Sequence, residues 1–523
     1  MENSPIMSAD AANVYDTIAY PSQAKLQTHP DHLGTLATLF GMAPAPARNC
    51  RVLEVGCGSG GNLIPMAFGL PGSTFVGVDL APGAIAEAEA MARALGLTNV
   101  AFHSADLLSW TPPAGEFDFI IAHGFFSWVP EAVRLRLLEL CRDRLTAQGV
   151  AFISYNVLPG FHIRAMLRDM MRFHVQPFNS PKQKIEQAKA LARLVAVNHS
   201  KDSEFAVMLR KEARRLLDRR SEPLLFHDDL ADINQPYYFH EFMSLAAKNE
   251  LQYLAEADFF DMQDWVHPAP VVDALKQFAG NIVLKEQYLD FLRCRRFRQT
   301  LLCRQGVGLN RALQSESMRG FLIASETRPK SATPDLSAGV VEGYVGPRGA
   351  VMQSDDALTK AAMLELRSVW PRALPFNALL ESARQRLGRA KDDVLPGEEA
   401  VVADTFLMVY SLGLIELRRS QAEWATQPAE RPVLNPVARL QLQRGAEIIA
   451  SLRHTAECVD TPIVRALFLL LDGSRDLDRV TAELGRDIDA GTLPMPAGTV
   501  RESLRADVEK ALRDAAAQAL LQR

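Results

Sequence analysis

Short apolar runs alternate with amphipathic stretches over the first third of the chain. Arg51–Val55, Thr74–Asp79, Asn99–His103, Phe117–Ala122 and Val150–Tyr155 each read as a buried strand. Ala84–Leu95 is Ala-rich and helical with Gly96 as its C-cap, and Ala132–Leu145 is a second amphipathic helix. Strands separated by helices of this length predict βαβ units and a mostly parallel sheet. Val55–Val78 carries no formal charge, but glycines and prolines break it into strand, loop, helix and strand, not a membrane span.

Beyond residue 156 the period changes to that of helices. Phe161–Val175 is one. Ser180-Pro181-Lys182-Gln183 reads as an N-cap, a first-turn proline and a capping-box glutamine, opening a helix to about His199. Glu204–Arg219 and Phe239–Lys248 follow. Leu251–Leu254 and Phe297–Leu302 are expected to close the same sheet, each preceded by helical insertions. Pro329, Pro334 and Pro347 with several Gly and Ser over 327–349 suggest a linker or a loose hairpin, and 306–349 is the expected linker. Three helices (Leu358–Val369, Phe376–Leu387, Glu398–Leu412) and a strand at 413–418 then resemble a winged helix. Val464–Leu471 and Leu477–Leu484 suggest a second unit. The expected division is 1–217 for the sheet domain with an N-terminal lid and helical insertion, 218–305 for a region that completes the sheet, 306–349 for the linker, and 350–425 and 426–523 for two modules that fold independently of the sheet.

Length and charge narrow the classes. At roughly 150 residues per domain, 523 residues suit several domains. Lys+Arg 57 against Asp+Glu 62 leave a net charge of −5, which argues against a nucleic-acid partner. The six cysteines form no CxxC pair and read as structural thiols of a reducing compartment. MENSPIMSAD lacks the basic and apolar regions of a signal peptide, so the expected location is cytoplasmic, without membrane insertion.

The chemistry concentrates on Glu54-Val55-Gly56-Cys57-Gly58-Ser59-Gly60-Gly61, which follows a strand and opens a helix. Glycines there allow a tight turn and close approach of backbone to a ligand. Gly56, Gly58 and Gly61 also satisfy the GxGxxG dinucleotide fingerprint, so the loop alone is ambiguous. Three acids shift the balance. Glu54 is placed to meet a ligand ammonium, Asp79 at the next strand end to accept from two ribose hydroxyls, and Asp106 after the third strand to meet an adenine amine. Nothing in that set neutralises a pyrophosphate.

VLEVGCGSGGN, FVGVD, the ADL turn and FDFIIAH together resemble the class I S-adenosylmethionine-dependent methyltransferases. The stretches from Asn13 to Pro21, LFGM, NLIPMA, IIAHGFFSWVP and ISYNVLPGFHIRAMLRDMMRFH are similar to a narrower bacterial group, with a regulatory region (matched at 226–259) and a C-terminal winged-helix domain. That group includes rickettsial enzymes that methylate lysines of outer-membrane proteins. The resemblance implies a Rossmann-like α/β sheet followed by mainly α winged-helix-like modules. It implies S-adenosyl-L-methionine held by Glu54, Gly56, Cys57, Gly58, Gly60, Asn62, Asp79, Leu80, Asp106, Leu107 and His123, and methyl transfer to protein lysine. Candidates for the acceptor side are His123, Tyr15 and Tyr155 as catalytic groups, and Tyr20, Phe125, Phe126, Trp128 and Asn156 as channel walls. The implied partners are a protein substrate and a second copy of the chain. A small-molecule or carrier-bound acceptor, or a non-catalytic adaptor, are the other readings.

Weaker signals point elsewhere. His240-Glu241 starts an HExxH-like string, but Ser244 occupies the last position, so no metal site is specified. His227, Asp228 and Asp229 read as a polar turn. Arg293, Arg295, Arg296 and Arg298 read as a solvated basic face.

Overall fold

The computed structural model describes residues 18, 20–197, 203–219, 221–347, 349–420, 424–494 and 503–523. Its centre is a seven-stranded sheet: β1 (Arg51–Val55), β2 (Thr74–Asp79), β3 (Val100–Ser104), β4 (Phe117–Ala122), β5 (Leu145–Asn156), β6 (Leu251–Glu256) and β7 (Phe297–Arg304). The order is β3-β2-β1-β4-β5-β7-β6. β1 to β5 run parallel, while β7 is antiparallel to both β5 and β6. Both expected closing strands are present.

The strands are apolar at nearly every position because both sheet faces are covered. Val52, Phe75, Phe119, Ile121 and Phe152 face one core, which takes in the helices Pro30–Leu39 and Leu63–Gly69. Leu53, Val55, Val78, Ile120, Ala122 and Tyr155 face the other, with the helices Glu131–Arg144 and Phe239–Lys248. Strand order progresses one way from β1 to β3 and the other way from β4 to β5, and the change lies beside β1, so the β1 loop opens at the topological switch point, where α/β sheets bind ligands.

The insertion Phe161–Val175, Pro181–Val197 and Glu204–Arg219 packs around a small core of its own, built on Leu167, Met171, Ile185, Ala188 and Leu216. The boundary expected at 217 therefore falls inside a helix.

Residues 306–349 are not a linker. They hold β8 (Leu322–Ala324), β9 (Arg328–Pro329) and β10 (Glu342–Val345). β10 pairs with β9 and with β11 (Val351–Ser354), and β8 is the central strand between β12 (Leu374–Pro375) and β13 (Glu416–Arg418). Proline suits such short edge strands, which have no ladder partner for the missing N–H. The module of 350–425 is likewise not independent. The helices Ala357–Val369, Phe376–Arg386 and Glu398–Ser411 belong to the same apolar core as one face of the large sheet. Asp31 also ties the backbone N–H of Arg419 and the hydroxyl of Ser420 to the helix Pro30–Leu39. The last unit has its own core, built on Leu434, Leu442, Phe468, Leu484, Val508 and Leu512. It carries the hairpin β14 (Ile448–Ala450) and β15 (Ala456–Cys458).

The basic cluster is not a solvated face. Arg298 is fully buried and pairs with Glu256 (2.5 Å), Glu286 (3.0 Å) and Asp290 (2.9 Å). Arg295 meets Asp290 at 3.1 Å and Arg296 meets Glu212 at 2.5 Å. Arg293 donates to the carbonyl of Asp261. Linear order hid the acids because none lies on β7 beside Arg298: Glu212 and Glu256 come from far back in the chain, Glu286 and Asp290 from the helix Ile282–Arg293. Among the described residues no helix is long and apolar enough to cross a membrane.

Candidate active site

The β1 loop turns through three glycines with positive φ: Gly56 (+73°), Gly58 (+52°) and Gly60 (+73°). A side chain at Gly56 would strike the Phe125 ring, its Cβ lying 2.7 Å from Cδ2, and one at Gly60 would press on Ile64 (2.9 Å). Cys57 is buried and burial pushes its thiol up, so it packs rather than reacts.

Glu54 is 4% exposed at the end of β1. Its Oε1 accepts from Asn62 Nδ2 at 2.7 Å, whereas Oε2 has no partner among the described residues. Burial raises its pKa to about 8, against the pull of the Asn62 bond and with the help of Asp79. A buried carboxylate with one empty oxygen is a site for a cation that would satisfy and ionise it. Asn62, expected to touch the ligand, donates its amide nitrogen to Glu54.

Asp79 fastens the loop. Its two oxygens accept from Gly58 N and Ala81 N, both at 2.9 Å. An ionised carboxylate has about four acceptor sites, so capacity remains for two hydroxyl donors. Asp106 accepts from Leu108 N at 3.0 Å in a turn that leaves its other oxygen available. Leu107 is buried beneath that turn, and Leu80 is half-buried beside Asp79.

A strap from the N-terminal segment lies over this loop. Ser22 Oγ accepts from Gly61 N at 2.9 Å, and Lys25 N donates to Asn62 Oδ1 at 3.0 Å. Further back, His227 Nε2 meets the carbonyl of Ile18 at 2.5 Å, and its ring sits edge-on to Tyr20, centroids 5.7 Å apart. His227, read as part of a polar turn, thus joins the strap to the helical insertion. Tyr15 lies outside the described residues.

Beyond β4, His123 is half-buried with Nδ1 3.2 Å from Ser154 Oγ, which also accepts from Gly124 N at 2.7 Å. Burial, then the nearby charge of Lys25, lower its pKa to about 4, so the imidazole is neutral at physiological pH. Phe125 touches the glycine turn, and half-buried Trp128 has an Nε1 without a partner among the described residues. Asn156 is buried, taking Ser127 Oγ on its backbone N–H and donating to Asn234 Oδ1 at 2.9 Å.

Two expected residues turn away. The Tyr155 ring is fully buried, stacks on Phe242 with centroids 4.1 Å apart, and meets Thr300 through its hydroxyl at 3.2 Å. Phe126 is fully buried against Tyr155, Tyr237 and Phe242. Both belong to the core behind the sheet, Tyr155 because successive residues of a strand point to opposite faces and Phe126 because the short 3-10 helix Phe126–Trp128 turns it there. Ser22, Lys25 and Ser154 escaped the sequence reading; small polar residues without a motif give no signal of their own.

Three family models match in order along the chain: "methyltransferase domain" at 52–149, "predicted methyltransferase regulatory domain" at 221–304, and "PKMT, C-terminal winged helix domain" at 430–522. The structure is similar to that of PKMT2 from Rickettsia typhi, with a TM-score of 0.86 and 26% identity over 96% of this chain and 99% of that one. The chain belongs to the class I S-adenosylmethionine-dependent methyltransferases of this three-part group. PKMT2 has also been solved in complex with AdoHcy, and S-adenosylmethionine is the cofactor of the present methyltransferase. Among sequences, Rickettsia prowazekii uncharacterized protein RP789 is 42% identical over 326 residues, which are 62% of this methyltransferase and 58% of that protein. Uncharacterized protein RP028 of the same organism is 34% identical over 241 residues, 46% of this methyltransferase and 96% of RP028.

Proposed function

We propose that this methyltransferase transfers the methyl group of S-adenosylmethionine to lysine side chains of protein acceptors. The similarity to PKMT2 along nearly the whole of both chains carries this reading, because it includes the regulatory and winged-helix regions and not the sheet alone. The residues fit the cofactor. Empty Oε2 of Glu54 suits its ammonium, Asp79 its ribose hydroxyls, Asp106 its adenine amine, and the glycine backbone its close passage. The cofactor supplies an already activated methyl group, so the protein's task is alignment and exclusion of water. A lysine amine must be neutral to attack, and its ordinary pKa is about 10.4. Phe125 and Trp128 offer an apolar approach that favours the neutral amine, and neutral His123 orients it without adding a competing positive charge.

Two outcomes test the assignments. Glu54 is mainly protonated at pH 7 in the free protein. A cation beside it favours the carboxylate, so its pKa is lower in the complex than about 8. Binding therefore releases a proton between the two values, and affinity should climb as pH rises until Glu54 is ionised without ligand. Calorimetry in buffers of different ionisation enthalpy should read release of up to about one proton at pH 7. Glu54→Gln should abolish that release. His123→Ala should lower kcat by about a hundredfold, within the range for a lost proton-handling group, while cofactor affinity stays the same. Unchanged kcat would make His123 a loop anchor for Ser154 and nothing more.

The acceptor class is tested with labelled S-adenosylmethionine and fractionated cell extract. Label should enter protein and appear as methyl-lysine after hydrolysis. Label confined to small molecules would favour a metabolite acceptor.

A further inference from the structure

The C-terminal unit reaches the β1 loop through its hairpin turn. The turn Ser451–Thr455, between β14 and β15, brings His454 to Asn62, 392 residues earlier. His454 is 3% exposed, and its Nε2 lies 2.8 Å from Asn62 Oδ1. The same oxygen accepts from Lys25 N at 3.0 Å and lies 3.1 Å from the Thr28 hydroxyl, whose single proton also faces the Lys25 carbonyl at 2.8 Å. The other end of the amide, Nδ2, donates to Glu54 at 2.7 Å. A backbone N–H only donates, so the amide end facing Lys25 is the oxygen, and the imidazole must donate to it from Nε2.

The turn that carries His454 is held on every side. Ser451 N donates to Thr455 O at 2.9 Å, and His454 N to Ser451 O at 3.0 Å. Ser451 Oγ accepts from Arg453 N and Thr455 N, both at 3.2 Å. Arg453 pairs with Glu416 at 2.5 Å and lies 4.3 Å from the centre of the Trp370 ring. A small apolar seam of Ala24, Val437 and Ala450, with Phe68 and Leu95, docks this unit against the methyltransferase domain. His454 has φ +62°, a left-handed conformation uncommon outside glycine, which persists only where the surroundings over-determine it. Its Nδ1 has no partner among the described residues, and burial, then the neighbouring His29, hold its pKa well below the ordinary histidine value.

We propose that His454 is a positioning residue for the cofactor site, acting through a His454–Asn62–Glu54 relay by which the winged-helix unit orients Glu54. The proposal rests on Glu54 being the ligand of the cofactor ammonium. Asn62 must present Nδ2 to Glu54 while its oxygen is held, and His454 supplies the shortest of the contacts that hold it, beside the N–H of Lys25. By reciprocity, cofactor at Glu54 stabilises the docked turn.

The test uses the full chain titrated with S-adenosylhomocysteine. His454→Phe keeps the ring volume and removes the donor. His454→Gln restores an N–H near Nε2. His454→Phe should weaken binding about three- to fifteenfold, the effect of one modest buried hydrogen bond. It should also move the pH at which affinity levels off upward, because a misoriented Asn62 stabilises the Glu54 carboxylate less. His454→Gln should recover most of the affinity and the original pH profile. In a Glu54→Gln background, His454→Phe should change affinity by less than about twofold, because the relay then has no endpoint. Wild-type affinity and pH profile in His454→Phe would overturn the relay while leaving the reading of Glu54 intact. A Glu54→Gln variant that binds as wild type would remove both. If His454→Phe does not fold, hydrogen exchange of the wild-type turn 451–455 decides. Slower exchange with ligand supports the relay, and equal exchange overturns it.

Discussion

Asp79→Ala is expected to weaken S-adenosylmethionine binding by about a hundredfold or more. Hydrogen bonds to a charged acceptor are worth about 1.5–3 kcal/mol each, and in the proposed binding mode two ribose hydroxyls depend on this carboxylate. The same side chain also holds Gly58 N and Ala81 N at 2.9 Å, so its loss loosens the loop that must approach the cofactor. Asp79 ends β2 with its carboxylate half-buried, and its side chain bonds to two backbone N–H groups outside the strands. Circular dichroism and thermal unfolding should therefore stay close to wild type while calorimetric affinity collapses. Affinity unchanged within error would remove Asp79 from the ribose site.

Arg298→Met is expected to destabilise the sheet domain by about 3–5 kcal/mol, the cost of breaking a buried ion-pair cluster from one side. Arg298 is the shared partner of Glu256, Glu286 and Asp290, and its guanidinium also lies 3.9 Å from the centre of the Phe239 ring. Without it Glu256 and Glu286 lose their cation and Asp290 keeps only Arg295, in a dry core where unpaired carboxylates must take up protons to stay folded. Their folded pKa values then rise above the unfolded values near 4. The sign follows: protonation is favoured in the folded state, so the variant's deficit is full at neutral pH and shrinks as pH falls. Urea unfolding at pH 7 and pH 5 should show the gap to wild type narrowing at the lower pH. A gap that widens, or a variant as stable as wild type at pH 7, would mean that the cluster contributes no net pairing.

The methyltransferase sheet and its acidic loop were legible from residues 51–156 alone, and for one physical reason. Apolar strands, a glycine turn and an acid at each strand end are local patterns, and in a parallel sheet strand ends necessarily gather at one edge. Glu54, Asp79 and Asp106 could therefore be placed together from spacing. The closing strands Leu251–Glu256 and Phe297–Arg304 were also legible, being apolar runs bounded by helices.

What depended on the other side of each element was decided only by the tertiary structure. Tyr155 and Phe126 sit within a residue or two of positions that border the site, but the alternation of the strand and the turn of the 3-10 helix send them into the opposite core. Arg298 reads as one of a basic run until Glu256, Glu286 and Asp290 arrive around it from β6 and the helix Ile282–Arg293. The glycine- and proline-rich 306–349 reads as a spacer, because strands of two to four residues are too short to show a period, and their partners lie at 351–354, 374–375 and 416–418. His454 carries no motif at all. Its meaning comes from a hydrogen bond across 392 residues, which pattern along a chain cannot contain and packing of one unit against another creates.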